Sequence, residues 1–296
     1  MKIRVAARTS RLSLEQVRIA MEYASRKLGG LSYEVIGVKT LGDHVKDKPL
    51  HEIGRKGVFE KEVNKAVLDG LADVAIHSLK DLPSRLPNEL EIVMVPPRGP
   101  RSDSLVPRRG LRVLPLEDLP PGTVVAAGSP RRKGAVLHTN SRVETTWIRG
   151  NVDTRLRRLD EGRADYLVAA EAGLARLGIE RPRLVLDPER FVPTPGQGLI
   201  AVVALRETSI ARLLREATHP ETTREAEAEI AFLQTLRGGC GVPVGATAFA
   251  EKRVFIAADY SLTRPKPLLI HEAGGDLVEM AERAASTIAG SPGREW

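Results

Sequence analysis

The chain has 296 residues, 42% of them hydrophobic and 28% charged, with 26 Gly and 20 Pro. Those fractions sit near globular averages, which excludes a disordered tail, a collagen-like repeat and a coiled coil, and the length suits two or three domains. The net charge of +7 is carried by 33 Arg against 12 Lys. Planar guanidinium forks grip carboxylates and phosphates through paired hydrogen bonds, so anionic ligands are expected.

Residues 1–16 contain no apolar stretch of the about 7–15 residues that a secretory signal carries. The longest apolar run, 199–205, falls short of the roughly 20 residues that span a bilayer. A cytoplasmic protein with no membrane segment is expected, and the single cysteine, Cys240, allows no internal disulfide.

Short runs of strand character alternate with helical patterns: strand 3–6, helix 13–28, strand 33–38, helix 59–69, strands 74–76 and 91–95. This alternation predicts an α/β domain with a largely parallel sheet. Segment 96–109, with Pro96, Pro97, Gly99, Pro100 and Pro107 among several Arg, reads as a connection between domains. A second α/β series follows, with strand 123–127, a helix from Pro130, strand 144–148, helix 154–161 and strand 166–169. The Pro- and Gly-rich segment 191–198 leads back into strand 199–204. Two crossings predict a hinged pair with a cleft beyond the carboxyl ends of the strands. A third unit begins near His219 with a helix over 221–236, stopped by Gly238-Gly239, then two or three strands and a helix over 275–289. The expected domains are 1–96 with 197–216, 100–192 and 219–296.

Polar residues cluster where these strands end. Ser78, Lys80 and Asp81 follow strand 74–76 in quick succession. A carboxylate beside a cation can stabilise developing positive charge or shuttle a proton while the lysine holds an anionic group; the alternative is a solvated ion pair. Ser129-Pro-Arg-Arg132 opens a helix after a strand, so free backbone N–H groups and the guanidinium groups of Arg131 and Arg132 are expected to converge on one anion. Arg149 follows a strand, and Arg155 falls in the first turn of the next helix, where a cation opposes the helix dipole and so points to function. Arg176 lies near the end of a further element. Arg157, Arg158 and Arg163 beside Asp160, Glu161 and Asp165 read as a surface ion-pair network.

Gly54-Arg-Lys-Gly57 matches no phosphate-loop pattern, and the six His have no zinc-site spacing, so neither a nucleotide nor a metal is expected. His77 reads as a hydrogen-bonded packing residue. Cys240 sits in Gly238-Gly239-Cys240-Gly241, a side-chain-poor loop with room for a bulky attachment. It reads as a tether, for want of a partner base, against the common alternative of a small buried apolar residue. The residues alone leave an anion-capturing solute-binding module open beside an enzyme. Nucleic-acid binding is disfavoured by 4% aromatics and by Arg dispersed over many motifs.

Eight segments in order carry a resemblance: Arg4-Val-Ala-Ala-Arg-Thr-Ser10, Gly54-Arg-Lys-Gly-Val-Phe59, Ala72-Asp-Val-Ala-Ile-His-Ser-Leu-Lys-Asp-Leu-Pro83, Ser129-Pro-Arg-Arg132, Arg149-Gly-Asn-Val-Asp-Thr-Arg-Leu156, Ala172-Gly-Leu-Ala-Arg-Leu-Gly178, Pro195-Gly-Gln-Gly198 and Leu236-Arg-Gly-Gly-Cys-Gly-Val-Pro-Val-Gly245. Together they resemble the porphobilinogen deaminase (hydroxymethylbilane synthase) family over nearly the whole chain. The resemblance implies two periplasmic-binding-protein-like α/β domains with a double crossover, plus a small C-terminal α+β domain. It implies an enzyme that joins four porphobilinogen molecules head to tail with loss of ammonia and releases hydroxymethylbilane by hydrolysis. It also implies a dipyrromethane cofactor, bound by a thioether to Cys240, on which the chain grows to a hexapyrrole with about twelve carboxylates, a load suited to bidentate Arg.

By the same resemblance Asp81 matches the catalytic aspartate. Cys240, Ser78, Lys80, Asp81, Ser129, Arg131 and Arg132 match cofactor-binding positions. Arg8, Ser10, Arg149, Arg155, Arg176, Lys56 and Phe59 match substrate-binding ones, Lys56 lying in a mobile loop over the cleft. Porphobilinogen is the expected partner, with no metal, nucleic acid, membrane or obligate protein partner, and the family suggests a monomer. Where the family commonly has Gly-Thr-Ser-Ser-Leu-Arg-Arg, this chain has Ala126-Ala-Gly-Ser-Pro-Arg-Arg132, losing two hydroxyls at Ala127 and Gly128 that backbone N–H groups are expected to replace in part. Gly241 stands where Gln is frequent, and Glu171 interrupts a stretch that is usually apolar.

Overall fold

The computed structural model describes residues 2–38, 60–236 and 242–291. β1 (Lys2–Arg8) leads into α1 (Arg11–Leu28) and β2 (Ser32–Val38); α2 (Lys61–Leu68) leads into β3 (Val74–Ser78) and β4 (Leu90–Met94). There follow β5 (Asp103–Pro107), β6 (Val124–Ala127), α3 (Pro130–Thr139), β7 (Glu144–Trp147), α4 (Val152–Arg158), β8 (Tyr166–Ala170), α5 (Glu171–Arg176) and the short β9 (Leu184–Val185). The chain returns through β10 (Ile200–Leu205) and α6 (Ser209–Glu216), then adds α7 (Pro220–Leu236), β11 (Val244–Phe249), β12 (Val254–Asp259), β13 (Leu268–Ala273) and α8 (Leu277–Gly290). The expected stop at Gly238 and Gly239 lies outside the described residues.

Local chemistry sets the helix ends that border the cleft. Ser10 caps α1, its hydroxyl accepting from the Ser13 N–H at 3.3 Å, and Gly29 ends it at φ 78°, a left-handed conformation that glycine adopts freely. Ser129 caps α3 by accepting from the Arg132 N–H at 3.3 Å, with Pro130 at the first helical position. α1 buries Gln16, Val17, Ala20, Met21 and Ala24, a stripe at three- and four-residue spacing against the sheet.

Two five-stranded sheets repeat one topology, β2-β1-β3-β10-β4 and β7-β6-β8-β5-β9. In each, four strands run in one direction, and the strand arriving from the other sheet, β10 or β5, runs antiparallel to both its neighbours. The sheets are largely parallel in direction as expected from alternation, and each is made mixed by its one reversed strand. A strand that has crossed over enters at the end where its neighbours finish, so it must run against them. The result is a pair of α/β lobes joined by two crossovers, one between β4 and β5 and the other between β9 and β10.

Segment 96–109 is more than a connection, because it contains β5, whose five residues are all buried. Asp103 and Ser104 disguise the strand: polar residues in a fully buried position break the apolar pattern, and only their partners in space make them tolerable there. Along β1, Ile3, Val5 and Ala7 face one core of the first lobe while Ala6 faces the other, and in the second lobe Val125 and Val168 oppose Ala126 and Leu167 in the same way.

The third sheet is antiparallel, in the order β11-β12-β13. Phe255 and Ala257 pack with α7 and α8, while Ile256, Ala258 and Tyr260 join the core of the second lobe. α7 also clamps both crossovers. Glu229, fully buried, accepts from Arg98 at 2.7 and 3.2 Å, from the Gly196 N–H at 2.5 Å and from the Ala248 N–H at 2.9 Å. Among the described residues no helix is long and apolar enough to cross a membrane.

Candidate active site

β3 delivers Ser78 to the cleft, and a tight turn over Leu79–Asp81 follows at once, tied to the second crossover by the Leu79 N–H donating to the Leu199 carbonyl at 3.0 Å. Ser78 Oγ accepts from Gln16 Nε2 at 2.6 Å, so α1 fixes the strand end. Asp81 is exposed to the cleft and Lys80 is half-buried. Burial lowers the Lys80 ammonium to about 8; Asp81 opposes that shift and Arg132 adds to it.

The facing wall comes from the second lobe. Arg131 and Arg132, side by side at the start of α3, both grip the fully buried Asp103. Arg132 donates to Asp103 Oδ1 from Nη2 at 2.7 Å and from Nε at 3.1 Å, and Arg131 Nη1 donates to the Val192 carbonyl at 2.9 Å. Burial alone would raise the Asp103 carboxyl, but the two guanidinium groups hold it well below the usual carboxylate range. The two arginines thus converge on one anion, but it is the chain's own Asp103 carboxylate and not the ligand anion expected at the start of this helix. Arg132 still lines the cleft, whereas Arg131 and Ser129 stand behind its wall.

After β7 come Arg149 and α4. Arg155 is the fourth of seven helical residues, and its Nε turns back to donate to the Gly150 carbonyl at 2.7 Å. A Cβ on Gly128 would stand 3.0 Å from Arg155 Nη1, so the missing side chain at that position is the space in which this guanidinium lies. Burial, with Arg132 nearby, lowers Arg155 to about 10. Burial does the same to Arg176, also to about 10; its Nη2 donates to the Gly198 carbonyl at 2.6 Å. Arg149 Nη1 is buried with no hydrogen-bond partner among the described residues. Arg149, Arg155 and Arg176 make no ion pair there either.

These groups bound a cleft of about 510 Å³. Arg8, Ser10, Ser78, Lys80, Asp81, Arg132, Arg149, Arg155 and Arg176 all line it, brought together from both lobes. Cys240, Lys56 and Phe59 lie outside the described residues, as does Gly241. His77 is buried, its Nε2 2.9 Å from Asn64 Oδ1, and burial lowers its imidazole to about 3, so it is a neutral packing residue as read. Glu171 is explained by its surroundings: Arg183 donates to it from Nε and Nη2, each at 2.7 Å, and Ser104 Oγ at 2.5 Å. Arg157 pairs with Glu161 and Arg158 donates to the Arg149 carbonyl at 3.1 Å, and both border the cleft with Arg11. Sequence reasoning missed Asp103 because it sits in a segment that reads as linker, and Arg11 because one exposed helical cation carries no signal.

Two lobes of one topology, facing each other across a cleft in which Arg149, Arg155 and Arg176 make no ion pair among the described residues, define a two-lobed α/β protein suited to a ligand rich in carboxylates. A family model described as "Porphobilinogen deaminase, dipyromethane cofactor binding domain" matches residues 3–212. A probable porphobilinogen deaminase of Hyperthermus butylicus is 47% identical over 86% of this chain and 83% of that protein. One from Pyrobaculum neutrophilum is 42% identical over 98% of each, and the porphobilinogen deaminase of Maridesulfovibrio salexigens is 38% identical over 84% and 81%. Among solved structures, the methionine-binding protein MetQ shares 13% identity over 73% of this chain and 88% of its own, with a TM-score of 0.44. The chain belongs to the porphobilinogen deaminase family, the hydroxymethylbilane synthases of tetrapyrrole biosynthesis, and its cofactor is dipyrromethane. The cleft fits that group, since a dipyrromethane brings carboxylates to Arg149, Arg155 and Arg176, which make no ion pair among the described residues, and Arg149 Nη1 is buried there without a hydrogen-bond partner.

Proposed function

We propose that the chain joins four porphobilinogen molecules head to tail, losing ammonia at each addition, and releases hydroxymethylbilane by hydrolysis. The observation that carries this reading is Asp81, exposed in a cleft that Lys80, Arg132, Arg149, Arg155 and Arg176 line with it. Each pyrrole bears an acetate and a propionate, which are the anions these cations await.

Dipyrromethane, bound through Cys240, supplies the primer end to which pyrroles are added. Ser78, Lys80, Asp81 and Arg132, which line the cleft, would hold it, while Ser129 and Arg131 would serve by capping α3 and sharing Asp103. Arg8, Ser10, Arg149, Arg155 and Arg176 bind substrate carboxylates, together with Lys56 and Phe59. As ammonia leaves the aminomethyl carbon of porphobilinogen, positive charge spreads to the pyrrole N–H, and the Asp81 carboxylate stabilises it. The proton released from the ring α-carbon of the attacking pyrrole when the new carbon–carbon bond forms would pass to Asp81, the carboxylate at the end of β3 in this cleft. The division of the chain for this work is 1–96 with 197–216, 100–192 and 219–296, in a cytoplasmic monomer.

Intact mass tests the reading. Natively purified protein exceeds its polypeptide mass by two linked pyrrole units, and a Cys240→Ser variant does not. A bare mass that stays bare after incubation with porphobilinogen overturns it.

A further inference from the structure

Behind the wall that carries Lys80 lies a fully buried amide. Gln197, on the second crossover, donates from Nε2 to the Arg101 carbonyl at 2.9 Å, the Ser102 carbonyl at 3.2 Å and Asp103 Oδ1 at 3.0 Å. Its Oε1 accepts from Lys80 Nζ and from Arg132 Nη2, each at 3.4 Å. Three acceptors on one side and two cations on the other permit one orientation of the amide, because the reverse would set its NH2 against cations and its oxygen against oxygens. One side chain therefore touches the first lobe at Lys80, the second at Arg132 and Asp103, and the approach to β5 at Arg101 and Ser102. It does not itself line the cleft.

We propose that Gln197 is a positioning residue of the reaction: its oxygen holds the Lys80 ammonium in register with Arg132, and its NH2 anchors that oxygen to the first crossover. The carboxylate-binding face of Lys80 is then set by the hinge and not by its own flexible stem. The inference rests on the reading of Lys80 as a carboxylate ligand given above. The charged groups facing Lys80 are Asp81 on its own turn, Arg132 from α3, Asp103 from β5 and Arg155 from α4. Among them a neutral acceptor orients without adding charge. Glutamate at the same place would set a second carboxylate against Asp103, a like-charge contact at about 3 Å.

The test uses full-length Gln197→Met and Gln197→Glu with two readouts. The first is the pH dependence of Lys80 acylation by acetic anhydride, followed by peptide mass spectrometry, which reports the ammonium without turnover. Its midpoint in the unsubstituted chain falls at about 8. Loss of the acceptor moves it down by about one pH unit in the Met variant, and the added carboxylate moves it up in the Glu variant. The second readout is kcat/KM, whose alkaline limb moves with the labelling midpoint while KM for porphobilinogen rises about tenfold in the Met variant. Unchanged midpoints in both variants overturn the proposal. So does failure of both to fold, which would assign the amide to assembly of the crossovers. Midpoints that shift while kcat/KM stays put overturn it through the role of Lys80, leaving the contact itself intact.

Discussion

Asp81 and Lys80 are neighbours in sequence with opposite fates. The turn over Leu79–Asp81 leaves the carboxylate in the open cleft while it draws the ammonium back toward Gln197. Asp81→Asn preserves size and turn geometry, so the variant folds and carries its cofactor, but kcat falls by about 10²–10⁴-fold, the range of a lost general acid–base group. Steady-state consumption of porphobilinogen measures this, and an unchanged kcat would remove Asp81 from the proposed chemistry. The motif 72–83 made both residues legible. The departures Gly128 and Glu171 were legible only as oddities, because what explains them, Arg155 in one case and Arg183 with Ser104 in the other, lies 12 to 67 residues away.

At the scale of elements, the crossovers decide where the walls stand. Gly198, at φ +86°, packs where a Cβ would lie 2.6 Å from the Gly99 carbonyl oxygen and 2.8 Å from that of Pro100, and its own carbonyl receives Arg176. Gly198→Ala meets both the left-handed penalty of about 1–2 kcal/mol and a backbone clash that must displace one crossover. The expected result is a lower thermal midpoint together with a raised KM for porphobilinogen, since Arg176 follows the carbonyl it bonds. Normal KM with lowered stability would separate the hinge from the cleft. Helix positions were readable from spacing and, for α3, from Ser129-Pro130 at its start, whereas the caps Ser10 and Asp276 emerged only in the structure, through their bonds to helix N–H groups. β5 was not, because Asp103 and Ser104 satisfy themselves through Arg131, Arg132 and Glu171 across the second lobe.

In the whole molecule, the third unit is bound to both others by unlike means. Ile256, Ala258 and Tyr260 extend the apolar core of the second lobe, while α7 reaches the first lobe through Ala226 and Ile230 and the hinge through charge. Arg98 is buried against Glu225 at 3.0 Å and Glu229 at 2.7 Å, and it also donates to the Gln197 carbonyl at 2.9 Å. Removing one partner of a buried pair leaves a charge unmatched, at a cost of about 3–5 kcal/mol. Glu229→Leu, which also strands the Gly196 and Ala248 N–H groups, therefore lowers the thermal midpoint by on the order of 10 °C. Calorimetry checks this, and a midpoint within a degree of the unsubstituted protein would show that the clamp contributes nothing.

By itself the sequence determined the alternation of strands and helices, the two crossings and the motifs that put Asp81, Lys80, Arg149 and Arg176 at or beside element ends, because these depend on neighbours within a few residues. Tertiary structure alone decided that β5 and β10 run against their neighbours, that Arg131 faces Asp103 and not the cleft, and that Gln197 joins Lys80 to Arg132. Those outcomes depend on which buried polar groups meet across lobes. A buried charge or amide takes whichever partner the fold brings to it, and that partner leaves no mark in the local pattern.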